Sequence, residues 1–242
     1  MRKEELKQRL KAIARLGFVE TKRSGNTGVG YTLESLLGIE ENNYSGEDIE
    51  GVGELKTKRR GKKARTTSLC QSPDFYVDKR TIIRKYGRPV VEDPERINFY
   101  PSFRLNKETP QGLTAVLIED ELVVTGEQGT RLFYLPLNVI SFAYRRKFGR
   151  ALIFVTADCE KEEGQEKFHY NEACYCSDIN LGPIRELLEK GKIIIEPRIW
   201  MNKTTGKIRD HGMAFRMSGE DKMDLYTKKE IWVKSDSYAD NT

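Results

Sequence analysis

Apolar residues recur at helical spacing near the start of the chain, where Leu6, Leu10, Ile13 and Leu16 share one face and the pattern ends at Gly17. This spacing predicts a helix over residues 4–16. A second stripe, Leu33, Leu36 and Leu37, predicts another between Gly28 and Gly38. Val52, Leu55 and Thr57 then mark an extended segment. In a strand, residues two apart share a face, so Glu54 and Lys56 point together while Leu55 enters the core. Residues 67–71 are expected as a strand beside that segment. Further strands are expected over residues 113–118, 121–125, 132–135 and 151–156, and over 193–200, where Pro197 marks an edge or a bulge. Helices are predicted over residues 79–86, 139–148 and 184–190, the first stopped by Gly87 and the last by Gly191. The mixture implies an α/β or α+β fold. Residues 235–242 read as a loose polar tail.

With 242 residues and 38% apolar content, the chain can bury one large core or two lobes sharing a cleft. No apolar run approaches membrane-spanning length, and the first residues lack the apolar core of a signal peptide, so a soluble, cytoplasmic protein is expected. The four cysteines form no CxxC pair and only His169 and His211 accompany them. That argues for reduced thiols rather than a zinc site. The net charge of +5 is modest but uneven. Seven cations fall between Lys56 and Arg65, among them Lys58, Arg59, Arg60, Lys62 and Lys63. Such a run is often just a solvated loop, yet a polyanion would be held by it in a salt-dependent way. Arg145, Arg146, Lys147 and Arg150 form a second cluster, equally readable as an exposed helix end.

The chemistry concentrates in Glu34, Asp48, Glu54 and Lys56. Hard divalent cations take carboxylate oxygens, and a neighbouring ammonium can orient the attacking water. Asp48 precedes Glu54 by six residues, across Gly51 and Gly53, which allow a turn that brings the two carboxylates together. Two such groups repel unless a cation lies between them. Glu-x-Lys alone means little, since Glu5-Leu6-Lys7, Glu20-Thr21-Lys22 and Glu220-Asp221-Lys222 repeat it. Only the copy at Glu54 has an upstream Asp across a Gly-bearing turn and another acid, Glu34, on a preceding helix.

The run from Lys22 to Gly30, Thr32-Leu33-Glu34, the core Asp48…Glu54-Leu55-Lys56-Thr57 and the block Asp210-His211-Gly212-Met213-Ala214-Phe215-Arg216 closely resemble the MvaI/BcnI restriction endonucleases. Residues 66–73 and 83–87 add to the likeness, while the stretch from about Val90 to Phe133 matches weakly. The first blocks also resemble MutH, a mismatch-repair nicking endonuclease with the same order of acids and lysine. The resemblance implies an α/β, restriction-endonuclease-like PD-(D/E)XK core: one domain with a mixed sheet flanked by helices and two lobes around a DNA cleft. The catalytic lobe would comprise chiefly the N-terminal third and the strand at 151–156, and the middle and C-terminal parts would form the DNA-recognition lobe.

In that likeness Asp48 and Glu54 ligate Mg2+, with Mn2+ as a substitute, Lys56 serves the water, and Glu34 supports the metal or the lysine. Glu47 and Glu50 are nearby stand-ins for Asp48. Lys58, Arg59, Arg60 and Lys62 would hold DNA phosphates. Arg216 and His211 would read bases, with Arg209 a weaker addition, because Arg and His match the O6 and N7 acceptors of guanine. Where a BcnI-like enzyme has His before the Asp this chain has Arg209, which puts readout closer to the MvaI side. The implied protein is a monomeric type II endonuclease cutting duplex DNA at a short, G/C-rich site and leaving 5′-phosphate ends. A cognate DNA methyltransferase would accompany it in the same host. A MutH-like nickase and a non-catalytic DNA-binding module are the competing readings.

Overall fold

The computed structural model describes residues 1–40, 48–62 and 65–234. The expected loose tail at 235–242, the stand-in Glu47 and the cation Lys63 lie outside the described residues. The chain begins with α1 (Lys3–Arg15), β1 (Val19–Glu20), α2 (Gly28–Leu37), β2 (Glu54–Arg59), β3 (Thr66–Gln71), β4 (Asp74–Phe75) and α3 (Lys79–Tyr86). There follow β5 (Arg88–Val90), β6 (Asp93–Phe99), β7 (Thr114–Ile118), β8 (Glu121–Thr125), β9 (Arg131–Pro136) and α4 (Leu137–Phe148). The remainder is β10 (Ala151–Glu162), β11 (Gln165–Ile179), α5 (Pro183–Glu189), β12 (Ile194–Asn202), β13 (Ile208–Met217), α6 (Gly219–Met223) and β14 (Tyr226–Val233).

Two compact units result. The first comprises residues 1–64, 145–180 and 219–242. Its sheet runs β1-β11-β10-β2, with β14 also paired to β11. β10 and β2 are parallel, whereas β10 and β11 form an antiparallel hairpin. The hairpin turn is Glu163-Gly164, both at positive φ (49° and 85°), the backbone hand that matches the twist of the flanking strands. Leu6, Leu10 and Ile13 of α1 and Val29, Leu33 and Leu37 of α2 are buried with Leu55, Ile153, Val155, Phe168 and Tyr170 of the sheet. The predicted apolar faces of both helices therefore cover one side of this sheet. Leu16, expected on the apolar face of α1, is instead its C-cap and exposed, and Gly38, at φ 72°, closes α2.

The second unit comprises residues 65–144 and 181–218. It holds one sheet ordered β3-β13-β12-β6-β5 and another ordered β4-β9-β8-β7. Buried Phe99, Phe103, Phe133 and Phe215 supply much of its core, with the Phe99 and Phe133 rings edge to face.

Some expectations are met only in part. Residues 67–71 do form a strand, but it pairs with β13 rather than lying beside β2, whose partner is β10. The block at 208–217, given no element of its own above, is a strand. Pro197 sits at a bulge, one of the two settings expected for it: the register of β12 against β13 slips before Ile199, in a strand flanked by β13 and β6. Among the described residues no helix is long and apolar enough to cross a membrane.

Candidate active site

β2 is too short to bury a core by itself; its value is the alternation it imposes. Leu55 points into the core beneath α1 and α2, and Glu54 and Lys56 share the opposite face. The strand is entered through a tight turn in which the Val52 and Gly53 amides both donate to the Ile49 carbonyl. Gly53, at φ 150°, lies so close to the Ala151 carbonyl on β10 that any side chain there would collide with it. This turn folds Asp48 back over the start of β2. Its Oδ2 accepts from the Leu55 amide at 3.0 Å and from Lys56 Nζ at 3.3 Å.

Lys56 Nζ also lies 2.5 Å from Glu54 Oε1. The turn and the strand pitch thus gather Asp48, Glu54 and Lys56, three of the four residues picked out by spacing. Glu34 is half-buried on α2. A side chain added at Gly30, one turn before Glu34, would meet Thr57 Oγ1 of β2 at 3.3 Å and Glu34 Oε1 at 3.9 Å. Among the described residues no three acidic, His or Cys side chains converge as a ready metal cage.

Glu54 is fully buried. Burial pushes its carboxyl above the usual range, and the Asp48 charge adds to this; Lys56 and Lys147 oppose it. Oε1 has its ammonium neighbours, but Oε2 is sealed from solvent with no hydrogen-bond donor among the described residues. A buried, orphaned carboxylate oxygen is expensive unless something cationic engages it. The donor set suits a hard divalent cation, which takes carboxylate oxygens. For Lys56, burial favours loss of the proton, but the adjacent Glu54 and Asp48 charges outweigh it and hold the ammonium form above its ordinary range.

Two residues of this site escaped the sequence reading. Lys147, noted only as part of a basic cluster on an exposed helix end, lies at 3.2 Å from Glu54 Oε1. Lys222, set aside with an accidental Glu-x-Lys repeat, is 1% exposed, and its charge interacts with Lys56, Glu54 and Lys147. Nothing in local spacing announces either, because both arrive from remote parts of the chain. The one available signal was α4 delivering a cluster of cations directly before the most apolar strand, β10.

The basic run is largely engaged inside the molecule. Arg59 holds Glu166 with Nε and Nη2 and the Gly25 and Asn26 carbonyls with its other donors. Arg60 pairs with Asp158 and Glu172, and Lys58 with Glu220 on α6. Lys62 is exposed. In the second unit, Arg209 and His211 are exposed on β13. Arg216 donates to the Glu196 carboxylate at 3.3 Å and to the Arg65 carbonyl at 2.9 Å, with 39% of its side chain exposed. Asp210 is tied to Lys79 at 2.7 Å and accepts from the Gly212 amide at 2.8 Å.

Carboxylates and lysines gathered around a short strand of a mixed α/β fold are the groups a phosphodiester-cleaving hydrolase needs. The model of the MvaI/BcnI restriction endonuclease family matches residues 7–226, and the chain belongs to that family. It is accordingly a type II restriction endonuclease, a site-specific deoxyribonuclease. Among solved structures, it is similar to restriction endonuclease MvaI in complex with cognate DNA substrate, at 25% identity and a TM-score of 0.74, over 96% of this chain and 100% of that one. MvaI in the absence of DNA gives 23% identity and a TM-score of 0.55 over 96% and 99%. No curated protein matches the sequence.

Proposed function

We propose that the chain is a Mg2+-dependent endonuclease of the PD-(D/E)XK kind that hydrolyses phosphodiesters in duplex DNA at a short, G/C-rich site and leaves 5′-phosphate ends. One observation carries this reading: the Asp48 and Glu54 carboxylates meet at the ammonium of Lys56, beside a buried carboxylate oxygen with no hydrogen-bond donor among the described residues. Asp48 and Glu54 would hold the cation, with Mn2+ able to replace Mg2+, and Glu34 would support them from α2. When bound, the cation would polarise a phosphate oxygen and acidify the attacking water. Lys56, fixed between two carboxylates, orients that water and offers positive charge to the phosphate as negative charge builds during in-line attack. Lys147, with Lys56, opposes the upward push of burial on the Glu54 carboxyl. The solved complex of MvaI with cognate DNA supports duplex DNA as the partner.

In this reading the first unit is catalytic and the second recognises sequence, through Arg216, His211 and Arg209. The protein works as a monomer that cuts the strands in turn, and a cognate methyltransferase protects the host. Incubating plasmid DNA with the purified protein and Mg2+ alone, then sequencing the ends, tests the proposal. Fragments sharing a G/C-rich terminal motif with 5′-phosphates are expected. Nicks confined to one strand would favour the MutH-like reading, and a random smear or intact DNA would overturn site-specific cleavage.

A further inference from the structure

Strand register in the second unit draws a line of side chains across the sheet ordered β3-β13-β12-β6-β5. Arg209 of β13 stands opposite Trp200 of β12, Trp200 opposite Asn98 of β6, and Asn98 opposite Arg88 of β5. Directly opposed residues share a face, so the four lie together. Phe99, Ile199 and Met201 alternate with them and are buried, which puts the line on the solvent side. Arg96, two residues before Asn98, joins the same face. Its guanidinium lies over the Trp200 ring at 4.6 Å, Nε donates to Asn98 Oδ1 at 2.7 Å, and Nη2 donates to the Tyr100 hydroxyl at 3.0 Å.

This face holds cations without neutralising them. Among the described residues no carboxylate pairs with Arg88, Arg96 or Arg209. Asp93 and Glu95 alternate with Arg96 along β6 and so fall on its other side. Stacking and two hydrogen bonds fix the plane of the Arg96 guanidinium in advance. Little side-chain freedom is then left to lose when its remaining donors, on Nη1, engage an anion, and a planar fork held this way suits phosphate. Position adds to the case. Arg209 and Arg216 are seven residues apart on β13, about 20 Å at strand pitch, whereas stacked base pairs are about 3.4 Å apart. The line is too far along the strand to share a base pair with Arg216.

We propose that this face, centred on Arg96 and Trp200, is a docking surface for the phosphate backbone of duplex DNA beyond the bases that Arg216 reads. Contacts of this kind fix the duplex in register and carry no sequence information, and each phosphate neutralised adds to the salt dependence of binding. The protein therefore holds a duplex that extends past its recognition site more tightly than one that ends there. This inference rests on the proposed binding of duplex DNA.

The test is fluorescence anisotropy in Ca2+ over a range of salt, with two labelled duplexes carrying the site that the wild type cuts, one ending at the site and one extended on both sides. Wild type, Arg96→Ala and Arg96→Lys are compared, and the thermal midpoint is read for each. Arg96→Ala is expected to weaken binding of the extended duplex about fivefold or more and to lower its salt slope by about one unit, with the short duplex bound within about twofold of wild type. Arg96→Lys should keep the salt slope and recover only part of the affinity, because the charge stays and the fork is lost. A folded Arg96→Ala that binds both duplexes as the wild type does overturns the inference. So does an equal loss on both, since the contact would then lie within the site. Should Arg96→Ala fail to fold, Arg96→Gln is read by the same criteria. A wild type that binds neither duplex would instead bring down the underlying reading, and this inference with it.

Discussion

The two units place their functional charges in opposite settings. In the first, Glu54 is fully enclosed and Lys56, Lys147 and Lys222 are grouped with it. In the second, Arg209 and His211 stand exposed on β13, and Arg216 is partly exposed beside Glu196. Enclosed charges interact strongly and fail together when one is removed, because each is the other's compensation. Exposed charges are screened and act almost independently. The first setting suits chemistry, where geometry must be fixed before substrate arrives. The second suits recognition, where a guanidinium must leave a weak internal partner for a base edge.

The comparison breaks most visibly at Glu54. Glu54→Ala or Lys56→Ala should lower single-turnover cleavage by more than about 100-fold while circular dichroism stays unchanged. A loss of only a few-fold would mean that the enclosed cluster is structural. At Arg216 the expected effect is smaller and of another kind. Arg216→Ala should cost ~1 to 3 kcal/mol in discrimination at one guanine, read as relaxed cleavage on a library of site variants, with the rate at the preferred site much less affected. An unchanged cleavage pattern would remove Arg216 as a base reader.

Within the basic run the same distinction separates neighbours. Arg59 is bound to Glu166, whose side chain is only 21% exposed, and to two backbone carbonyls. Arg59→Ala should therefore cost about 1.5–3 kcal/mol in urea unfolding. Lys62→Ala should leave stability alone and reduce the salt dependence of DNA binding by roughly one unit of slope. If the two variants behaved alike, the run would be a uniform phosphate-binding surface after all.

A pH effect follows from Lys222. Burial, with help from Lys56 and Lys147 and against Glu54, pushes its ammonium down to about 7 from an ordinary 10.5. The unfolded chain then holds a proton that the folded one has released between these values, so this group makes stability rise with pH across that window. Below pH 7 the charged form is buried at full cost. Lys222→Met should accordingly stabilise the protein by about 1–4 kcal/mol at pH 6 and by less at pH 9, measured by urea unfolding. An equal gain at both pH values would contradict the enclosed charge.

How much of this could be read from the chain depended on distance along it. The helices at α1 and α2 and the Glu54/Lys56 face were legible because a single periodicity decides each. Asp48 was legible because a glycine turn is local. β11, a 15-residue strand at the centre of its sheet, was missed. Its first three residues, Gln165-Glu166-Lys167, are polar or charged, and pairing with β10, β14 and β1 holds it as a strand. Lys147 and Lys222 were hidden for the same physical reason: parallel pairing of β2 with β10 brings α4 and α6 to Glu54 across gaps of more than ninety residues. Arg216 was visible as a motif, but its internal partner Glu196 belongs to another strand, and no spacing rule links the two.

The most direct test of the central claim is the single-turnover rate of Lys56→Ala on duplex DNA in saturating Mg2+, compared with wild type and with Arg216→Ala at the same site. If the gathered carboxylates and lysine perform the hydrolysis, Lys56→Ala leaves the DNA intact while Arg216→Ala still cuts. A folded Lys56→Ala protein that cleaves at the wild-type rate would contradict it.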